Sequence, residues 1–284
     1  MTAKPGIAIV GAGNLGSALA VSLRRAGYAI ESVVAQGRGA SLKKAQELAK
    51  EVGAVASVGL ADESRANVVW LCVPDGEIAR AARVLAASGK WTGRFALHSS
   101  GALASDELAA LRRRGASVAS VHPMMTFVRG SRPSLVGVPF AVEGDAAAVR
   151  VARRIVDDLG GNAHTIRTKD KAAYHAWGAF ASPLFTALLG TSEQVAASAG
   201  VPREQARRRV IPILLQTLAN YASFGAPGAF SGPIVRGDVN TVKKHLRALA
   251  RVPPARDVYV ALARAALRYL PAKKRSSLAR VLVD

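Results

Sequence analysis

The chain has 284 residues, half of them hydrophobic, so it is long enough for two domains and is not intrinsically disordered. Its formal net charge is +20, from 39 Lys and Arg against 19 Asp and Glu. These basic residues are dispersed and carry no nucleic-acid-binding signature, so we predict a solvated basic surface and no nucleic-acid partner. The single cysteine, Cys72, excludes an internal disulfide, and no Cys/His spacing indicates a metal site.

The first predicted elements are a buried strand, Ile7 to Val10, and a helix, with a glycine-rich turn between them. Gly11, Gly13 and Gly16 have the G-x-G-x-x-G spacing, in which the first glycine permits the tight turn, the second admits a pyrophosphate and the third lets the helix pack on the strand. The N-terminus of the helix favours an anion. The stretch therefore predicts a dinucleotide site that uses Gly11, Gly13, Asn14, Leu15 and Gly16.

The second predicted strand, Tyr28 to Val34, leads into a segment with no acidic residue. An NAD-binding domain places an Asp or Glu here to hold the ribose 2′-hydroxyl. Gln36 and Arg38 instead offer hydrogen-bond donors and positive charge, which suit a 2′-phosphate. Lys43 and Lys44 follow, where the solvent face of a helix is the alternative role. The pattern predicts NADP(H) as the cofactor.

Further strand-like runs alternate with helical ones as far as residue 167, at Val68–Val73, Phe95–His98, Ser117–Val121, Pro139–Val142 and Ala163–Ile166. This alternation predicts an α/β fold with a parallel, doubly wound sheet over residues 1–167. Residues 168–284 show no strand pattern and predict an all-helical second domain, with helices at Asp170–Leu189, Glu193–Ala199, Pro202–Phe224, Val239–Leu249 and Asp257–Tyr269.

Two long uncharged runs in the second half, 172–192 and 210–235, exceed the length that crosses a bilayer. They contain His175, Pro183, Gln216 and Asn220, which a buried helix accommodates better than a membrane span. We therefore predict a cytoplasmic protein that forms a homodimer through its helical domain.

Ligands of open parallel sheets bind beyond the carboxyl ends of the strands. The residues there are Val73 and Pro74 after one strand, Ser99 and Ser100 after the next, and His122 after a third. We predict that Val73, Pro74 and Ser99 contact the cofactor, that Ser100 binds substrate, and that His122 is catalytic. Turn chemistry for the serines and a backbone bond for His122 are the alternatives.

Lys171 and His175 lie four residues apart, hence on one face of a helix that begins a long uncharged run. Partial desolvation there suits Lys171 to act as a general acid, whereas an amine in water is the alternative. Further along, Arg236 is a candidate to bind a substrate carboxylate, with Asp238 beside it. Asp238 also suits the cap of the helix that starts at Val239.

The chain resembles Rossmann-like oxidoreductases whose C-terminal half is a domain of unknown function numbered twenty-five-twenty. The resemblance is nearly full length, and its motifs are Gly11-Ala-Gly-Asn-Leu-Gly16, His98-Ser-Ser-Gly-Ala102, His122-Pro-Met-Met-Thr-Phe127, Tyr174-His-Ala-Trp-Gly-Ala-Phe-Ala-Ser182 and Gly232-Pro-Ile-Val-Arg-Gly-Asp238. The wider superfamily includes ketopantoate reductase, pyrroline-5-carboxylate reductase and 6-phosphogluconate dehydrogenase.

This resemblance implies a helical dimerisation domain and NADPH-dependent reduction of a small, ketopantoate-like 2-oxo acid. It also implies catalysis by Lys171, with His175 as its polar partner. One position departs from the pattern, because Pro183 stands where related sequences usually have Asn. An imine reductase of the pyrroline-5-carboxylate type, and an NADP(H)-binding regulatory protein with little or no catalysis, are the alternatives. Nucleic-acid binding rests only on the net charge.

Overall fold

The structure is a computed structural model that describes residues 4–58 and 66–283. The chain forms two compact units, residues 1–179 and residues 180–284. The predicted boundary at residue 167 assigned the helix beginning at Lys171 to the second domain, whereas most of that helix lies in the first compact unit.

The first unit is built on one eight-stranded sheet with the order β3-β2-β1-β4-β5-β6-β7-β8. Its strands are β1 Ile7–Val10, β2 Ile30–Ala35, β3 Val55–Val58, β4 Val68–Leu71, β5 Phe95–His98, β6 Ser117–Pro123, β7 Pro139–Gly144 and β8 Asn162–Thr165. All neighbouring strands are parallel except β6 and β7. The predicted doubly wound fold is confirmed, and its strand order reverses direction between β1 and β4.

The strand β7 departs from the predicted parallel sheet. It runs antiparallel to β6, with His122 opposite Ala141 and Pro123 opposite Phe140. The connection between these strands, residues 124–138, contains no helix, and Gly130, Pro133 and Gly137 within it disfavour one. The chain therefore leaves the carboxyl edge of the sheet at β6 and returns to the same edge to start β7.

Helices cover both faces of this sheet. They are α1 Asn14–Arg25, α2 Ala40–Val52, α3 Asp75–Ala87, α4 Ala109–Arg113 and α5 Ala146–Asp158, and a further helix, α6 Lys171–Ala181, follows the last strand. Alternate residues of β1 point to opposite sides, so that Ile7 and Ile9 join one apolar cluster with α1, α2 and α5. Ala8 and Val10 join the other cluster, with α3 and α4. Burial on both sides explains why the central strands β1 and β4 are apolar throughout.

The second unit is helical, as predicted. Its helices are α7 Pro183–Ser198, α8 Arg203–Ala229, α9 Pro233–Arg236, α10 Val239–Leu249, α11 Pro253–Tyr269 and α12 Arg275–Val281. The single helix predicted from residue 170 to 189 ends at Ala181, because Pro183 begins a new helix. The second helix, α8, bends at Gly225, which has a positive φ of 66°.

The first two helices of the second unit, α7 and α8, bury very few of their side chains. Among their described residues only Ala206 is buried, and the apolar core of this unit is formed by other helices, through Val242, Leu246, Ala263 and Leu278. Large apolar side chains remain exposed on α7 and α8, namely Leu184, Ile211, Ile213, Leu215, Leu218, Tyr221 and Phe224.

Candidate active site

The glycine turn, residues 11–16, follows β1 at the carboxyl edge of the sheet. Gly11 has a φ of 104°, and a Cβ there would lie 2.6 Å from the carbonyl oxygen of Cys72. A Cβ on Gly16 would lie 2.0 Å from the carbonyl oxygen of Gly11. At Gly13, by contrast, a Cβ would meet nothing within 4 Å. The first and third glycines are therefore required by the fold, and the second leaves open space in front of the helix.

The helix α1 begins at Asn14 and presents an uncapped N-terminus to this space. No side chain caps it, and its first turn contains no acidic residue. Leu15 packs against the apolar core, and the side-chain amide of Asn14 donates a hydrogen bond to the carbonyl of Phe127 at 3.1 Å. The backbone N–H groups of the first turn are thus placed to bind an anion.

The other predicted cofactor residues lie at the same edge of the sheet. Gln36 follows β2 directly, and both Gln36 and Arg38 are exposed. After β4, a Cβ on Gly11 would be 3.2 Å from the side chain of Val73, and Pro74 stands at the N-cap of α3. These positions line the strand ends on both sides of the point where the strand order reverses.

The serine turn, residues 99–101, follows β5 and is closely bonded. The hydroxyl of Ser99 accepts a hydrogen bond from the indole of Trp70 at 2.8 Å. The hydroxyl of Ser100 donates to Asp75 at 2.9 Å and accepts from the backbone N–H of Leu103 at 2.9 Å. The hydroxyl of Ser100 would have to break its bond to Asp75 in order to donate to a substrate, as the predicted contact with a carboxylate requires.

His98, the last residue of β5, also holds the serine turn in place. Its Nδ1 accepts the backbone N–H of Ser100 at 3.1 Å, so its Nε2 carries the proton and donates to the carbonyl of Ala104 at 2.9 Å. The ring is fully buried, and this burial lowers the pKa of His98 to about 4. His98 is therefore neutral at physiological pH.

Lys171 is buried behind the serine turn, with 1% of its surface exposed. Its ammonium donates to the hydroxyl of Ser120 at 2.7 Å and to the carbonyl of Ser100 at 3.1 Å. Burial lowers the pKa of Lys171, and the charges of Glu143 and Asp75 oppose that shift. The predicted desolvation of this amine is thus observed and is nearly complete.

Glu143, at the end of β7, is a buried carboxylate close to this lysine. It accepts hydrogen bonds from the backbone N–H and hydroxyl of Ser105, at 2.7 and 2.9 Å, and from the hydroxyl of Thr168 at 3.1 Å. These bonds compensate its desolvation and fix the segment that leads into α6.

His122 lies near the end of β6, beside the serine turn. Its Nδ1 is 3.0 Å from the carbonyl oxygen of Ser99, which fixes the proton on Nδ1 and leaves Nε2 as the unprotonated nitrogen. Burial lowers the pKa of His122, although the bond to Ser99 opposes this. The ring meets His175 edge-on, with centroids 5.6 Å apart.

Gly101 makes the approach of these two histidines possible. A Cβ at this position would be 2.4 Å from Cδ2 of His175 and 2.9 Å from Nε2 of His122. Tyr174 completes the cluster, with its ring 6.3 Å from His122, and its buried hydroxyl has no hydrogen-bond partner among the described residues. His175 itself is exposed.

The structure therefore brings together five predicted residues within the first unit, namely Ser99, Ser100, His122, Lys171 and His175. Arg236 and Asp238 lie in the second unit, where Arg236 ends α9 and is exposed. Asp238 caps α10 as predicted, because its carboxylate accepts the backbone N–H of Thr241 at 3.0 Å and its hydroxyl at 2.7 Å. Both bonds lower the pKa of Asp238. The substrate contacts of Arg236 and Asp238 stay predictions.

Three residues of the cluster were not singled out from the sequence: Ser120, Gly101 and Tyr174. Ser120 lies between the apolar residues Ala119 and Val121, and it lies two positions before His122, hence on the same face of β6. That spacing is the signal by which it could have been found. Gly101 and Tyr174 carry no comparable signal outside the motifs in which they occur.

The strand order, the glycine turn and the polar groups at the neighbouring strand ends define a Rossmann-like protein with a helical second unit. Residues 2–123 match the family described as Rossmann-like domain, and residues 138–266 match the domain of unknown function DUF2520. Each match covers less than half of the chain, and together they confirm the predicted resemblance to proteins that combine these two domains. No curated protein matches the chain in sequence.

Several solved structures share this fold. A Bacteroides fragilis protein described as an NADP oxidoreductase is 21% identical, over 92% of this chain and 97% of its own, with a TM-score of 0.77. An imine reductase from a Pseudomonas species is 22% identical, over 99% of this chain and all of its own, with a TM-score of 0.65. An imine reductase from Myxococcus stipitatus, in complex with NADP+, is 16% identical over 99% and 100% of the two chains, with a TM-score of 0.65. At these identities the likeness establishes the fold.

No helix in the described ranges 4–58 and 66–283 has both the length and the hydropathy needed to cross a bilayer. The interpretation of the two uncharged runs as helices of the folded domain agrees with this result. The cytoplasmic location stays a prediction.

Proposed function

We propose that this protein is an NADPH-dependent reductase that reduces the C=O bond of a small 2-oxo acid of the ketopantoate type. The observation that carries the proposal is the arrangement at one sheet edge. An open glycine turn after β1 and a rigid serine turn after β5 lie at the same edge, and the serine turn holds His122 against His175. A reductase needs its cofactor and its proton donor close together, and two turns at the same edge of the sheet provide this.

The residues present fit an NADP(H) molecule. The open space at Gly13 and the uncapped start of α1 suit a pyrophosphate, and a methyl group at Gly13 would occupy that space. Gln36 and Arg38 follow β2, where the ribose 2′-phosphate is held in this fold. Val73 and Pro74 border the same crevice. When bound, NADPH supplies a hydride from its reduced nicotinamide.

The histidine pair supplies the proton that reduction requires. Negative charge develops on the substrate oxygen, or on the nitrogen of an imine, and a donor within hydrogen-bond reach stabilises it. Nδ1 of His122 donates its proton in a hydrogen bond to the carbonyl of Ser99, so only Nε2 is able to exchange a proton with substrate. Because burial lowers the pKa of His122, its protonated form is a stronger acid than an exposed imidazolium. His175, which is exposed, connects it to solvent.

Lys171 holds the turn on which this chemistry depends. Its ammonium bonds the carbonyl of Ser100 and the hydroxyl of Ser120, and almost none of its surface is accessible. We therefore assign it primarily to positioning the serine turn, and the predicted role as direct proton donor passes to His122. This assignment differs from the expectation drawn from the resemblance.

Reduction of an imine is the second candidate reaction. Some proteins of this fold are described as imine reductases, and an imine needs the same proton donor. The ring of Trp177 is exposed, with its centroid 5.7 Å from the ring centroid of Tyr174, and it offers an apolar surface near the histidines.

A spectrophotometric screen of NADPH oxidation separates the candidates, with ketopantoate and other 2-oxo acids in one arm and cyclic imines in the other. Turnover in neither arm, with NADPH bound, would favour the regulatory alternative.

The same proposal includes a homodimer formed through α7 and α8. These helices carry exposed apolar side chains such as Ile213, Leu218 and Phe224, which water disfavours. An obligate interface of this kind typically buries more than about 2,000 Å² in total. Light scattering at micromolar concentration should give twice the chain mass, and a stable, soluble monomer would contradict the dimer.

A further inference from the structure

A segment of the long connection between β6 and β7, residues 127–132, lies across the glycine turn. At one end the side chain of Asn14 bonds the carbonyl of Phe127 at 3.1 Å. At the other end Arg132 forms an ion pair with Glu51 of α2. Between these anchors the backbone N–H of Ser131 bonds the carbonyl of Val128 at 3.0 Å, which makes a tight turn. The segment is therefore held in place at both ends, with Arg129 in its turn.

This segment and the glycine turn enclose one cleft of about 780 Å³. The glycine turn and α1 form one wall, α2 forms the second, and the anchored segment forms the third. Its lining includes Gly13, Asn14, Lys44, Glu51 and Arg129. The open side of Gly13 and the start of α1 face this space, so the cleft contains the place predicted for a pyrophosphate.

The two arginines of the segment differ in their partners. Arg132 is neutralised by Glu51. Arg129 forms no ion pair with any residue in the ranges 4–58 and 66–283, and it is exposed to the cleft that it lines. A guanidinium and unbonded backbone N–H groups that line the same cleft provide the charge and the donors that bind phosphate oxygens.

From this geometry we propose that Arg129 binds the pyrophosphate of the dinucleotide, opposite the start of α1, and that residues 127–132 form the outer wall of the cofactor site. The inference rests on the proposed function, because it requires that a dinucleotide binds. It assigns Arg129 and Arg38 to different phosphates. The pyrophosphate is present in both NADPH and NADH, whereas the 2′-phosphate near Arg38 is present in NADPH alone.

Dissociation constants of both cofactors, measured by calorimetry on the full-length protein, test this assignment. Arg129→Gln should raise the constants for NADPH and NADH by the same factor, about tenfold or more. Arg129→Lys should retain part of the affinity. Arg113→Gln is the matched control, because Arg113 is an exposed arginine on α4 and does not line the cleft. Inorganic pyrophosphate should compete with NADPH in the unmodified protein and weakly in Arg129→Gln.

The possible failures are distinguishable. If the unmodified protein binds neither cofactor, the proposed function is wrong. If it binds both, and Arg129→Gln binds both equally well, the proposed function stands and this inference is wrong. A loss confined to NADPH would assign Arg129 to the 2′-phosphate and would overturn the pyrophosphate assignment.

Discussion

The glycine turn and the serine turn follow parallel strands at the same edge of one sheet, and they differ in what fills them. Space is open in front of Gly13, and no side chain caps the helix behind it. In the serine turn the hydroxyls of Ser99 and Ser100 and the backbone N–H and carbonyl of Ser100 all have partners within the protein. The first turn therefore leaves room for a ligand, and the second holds the side chain of His122 in place.

This difference determines how each turn responds to substitution. A group added to the glycine turn at Gly13 competes with a ligand and disturbs no neighbour. A group removed from the serine turn leaves a buried polar partner unsatisfied, which costs about 1–3 kcal/mol. Substitution at Gly13 should therefore change binding, whereas substitutions in the serine turn should change turnover or stability.

Replacing the lysine behind the serine turn should have the largest effect. Lys171→Met keeps the aliphatic stem but removes the donor to Ser100 and Ser120, so the turn that holds His122 should shift. We expect turnover to fall by about a hundredfold or more, the scale of losing general acid catalysis, with the dissociation constant of NADPH unchanged. Steady-state kinetics and calorimetry provide the two measurements.

Lys169→Met is the matched control, because Lys169 is an exposed lysine two residues earlier and should be replaceable without loss. The pH profile distinguishes the two roles of Lys171. If the lysine only positions the turn, residual turnover of Lys171→Met should still rise as the pH falls toward the lowered pKa of His122. Near-normal turnover in Lys171→Met would exclude both roles.

The two turns also differ in how well the sequence predicts them. The positive φ of Gly11 and the approach of Gly16 to the carbonyl of Gly11 both lie within six residues, so the spacing alone predicts the turn and the start of α1. The cap at Asp238 is similarly local and was predicted. The bonds of Lys171 instead join residues 51 and 71 positions apart, and one acceptor is a backbone carbonyl that every residue has. Such a contact depends on tertiary structure and has no sequence pattern.

The antiparallel strand β7 shows the same limit. Its residues are as apolar as those of a parallel strand, and only the absence of a helix between residues 124 and 138 indicates a reversed direction. The same connection carries Arg129 across the glycine turn, and this placement could not be predicted from local patterns.

The next largest effect should come from the ribose side of the glycine turn. Arg38→Ala removes an exposed guanidinium at the end of β2 and should weaken NADPH binding by about tenfold to a hundredfold, the scale of losing a charge-assisted hydrogen bond. NADH, which lacks the 2′-phosphate, should bind with nearly unchanged affinity. Equal dissociation constants for the two cofactors in the unmodified protein would contradict the NADP(H) assignment.

A smaller effect on binding should follow from filling the open space itself. Gly13→Ala places a methyl group where nothing lies within 4 Å, so the free energy of unfolding should not fall, while NADPH affinity drops about tenfold. Gly11→Ala provides the contrast, because the φ of 104° and the carbonyl of Cys72 should make it lose about 1–3 kcal/mol of stability. Denaturant unfolding and calorimetry of both variants test the pair. Equal loss of stability in the two would show that Gly13 is also structural.

The smallest expected effect concerns pH and the histidine that anchors the serine turn. The pKa of His98 is about 4 in the folded protein and about 6.5 in an unfolded chain, so as the pH falls the unfolded state takes up its proton first. Its contribution to stability is therefore complete above pH 6.5 and is lost between about pH 6.5 and 4. Between pH 7.5 and 5.5 this loss should be about 1 kcal/mol.

His98→Gln removes the titration but keeps an amide to bond the carbonyl of Ala104, so the stability of this variant should depend less steeply on pH over that range. His122, whose pKa is also lowered, should leave a residual slope in the variant. His245→Gln, at an exposed histidine, should retain the slope of the unmodified protein, and an equal slope in His98→Gln would mean that His98 is not held neutral by the fold.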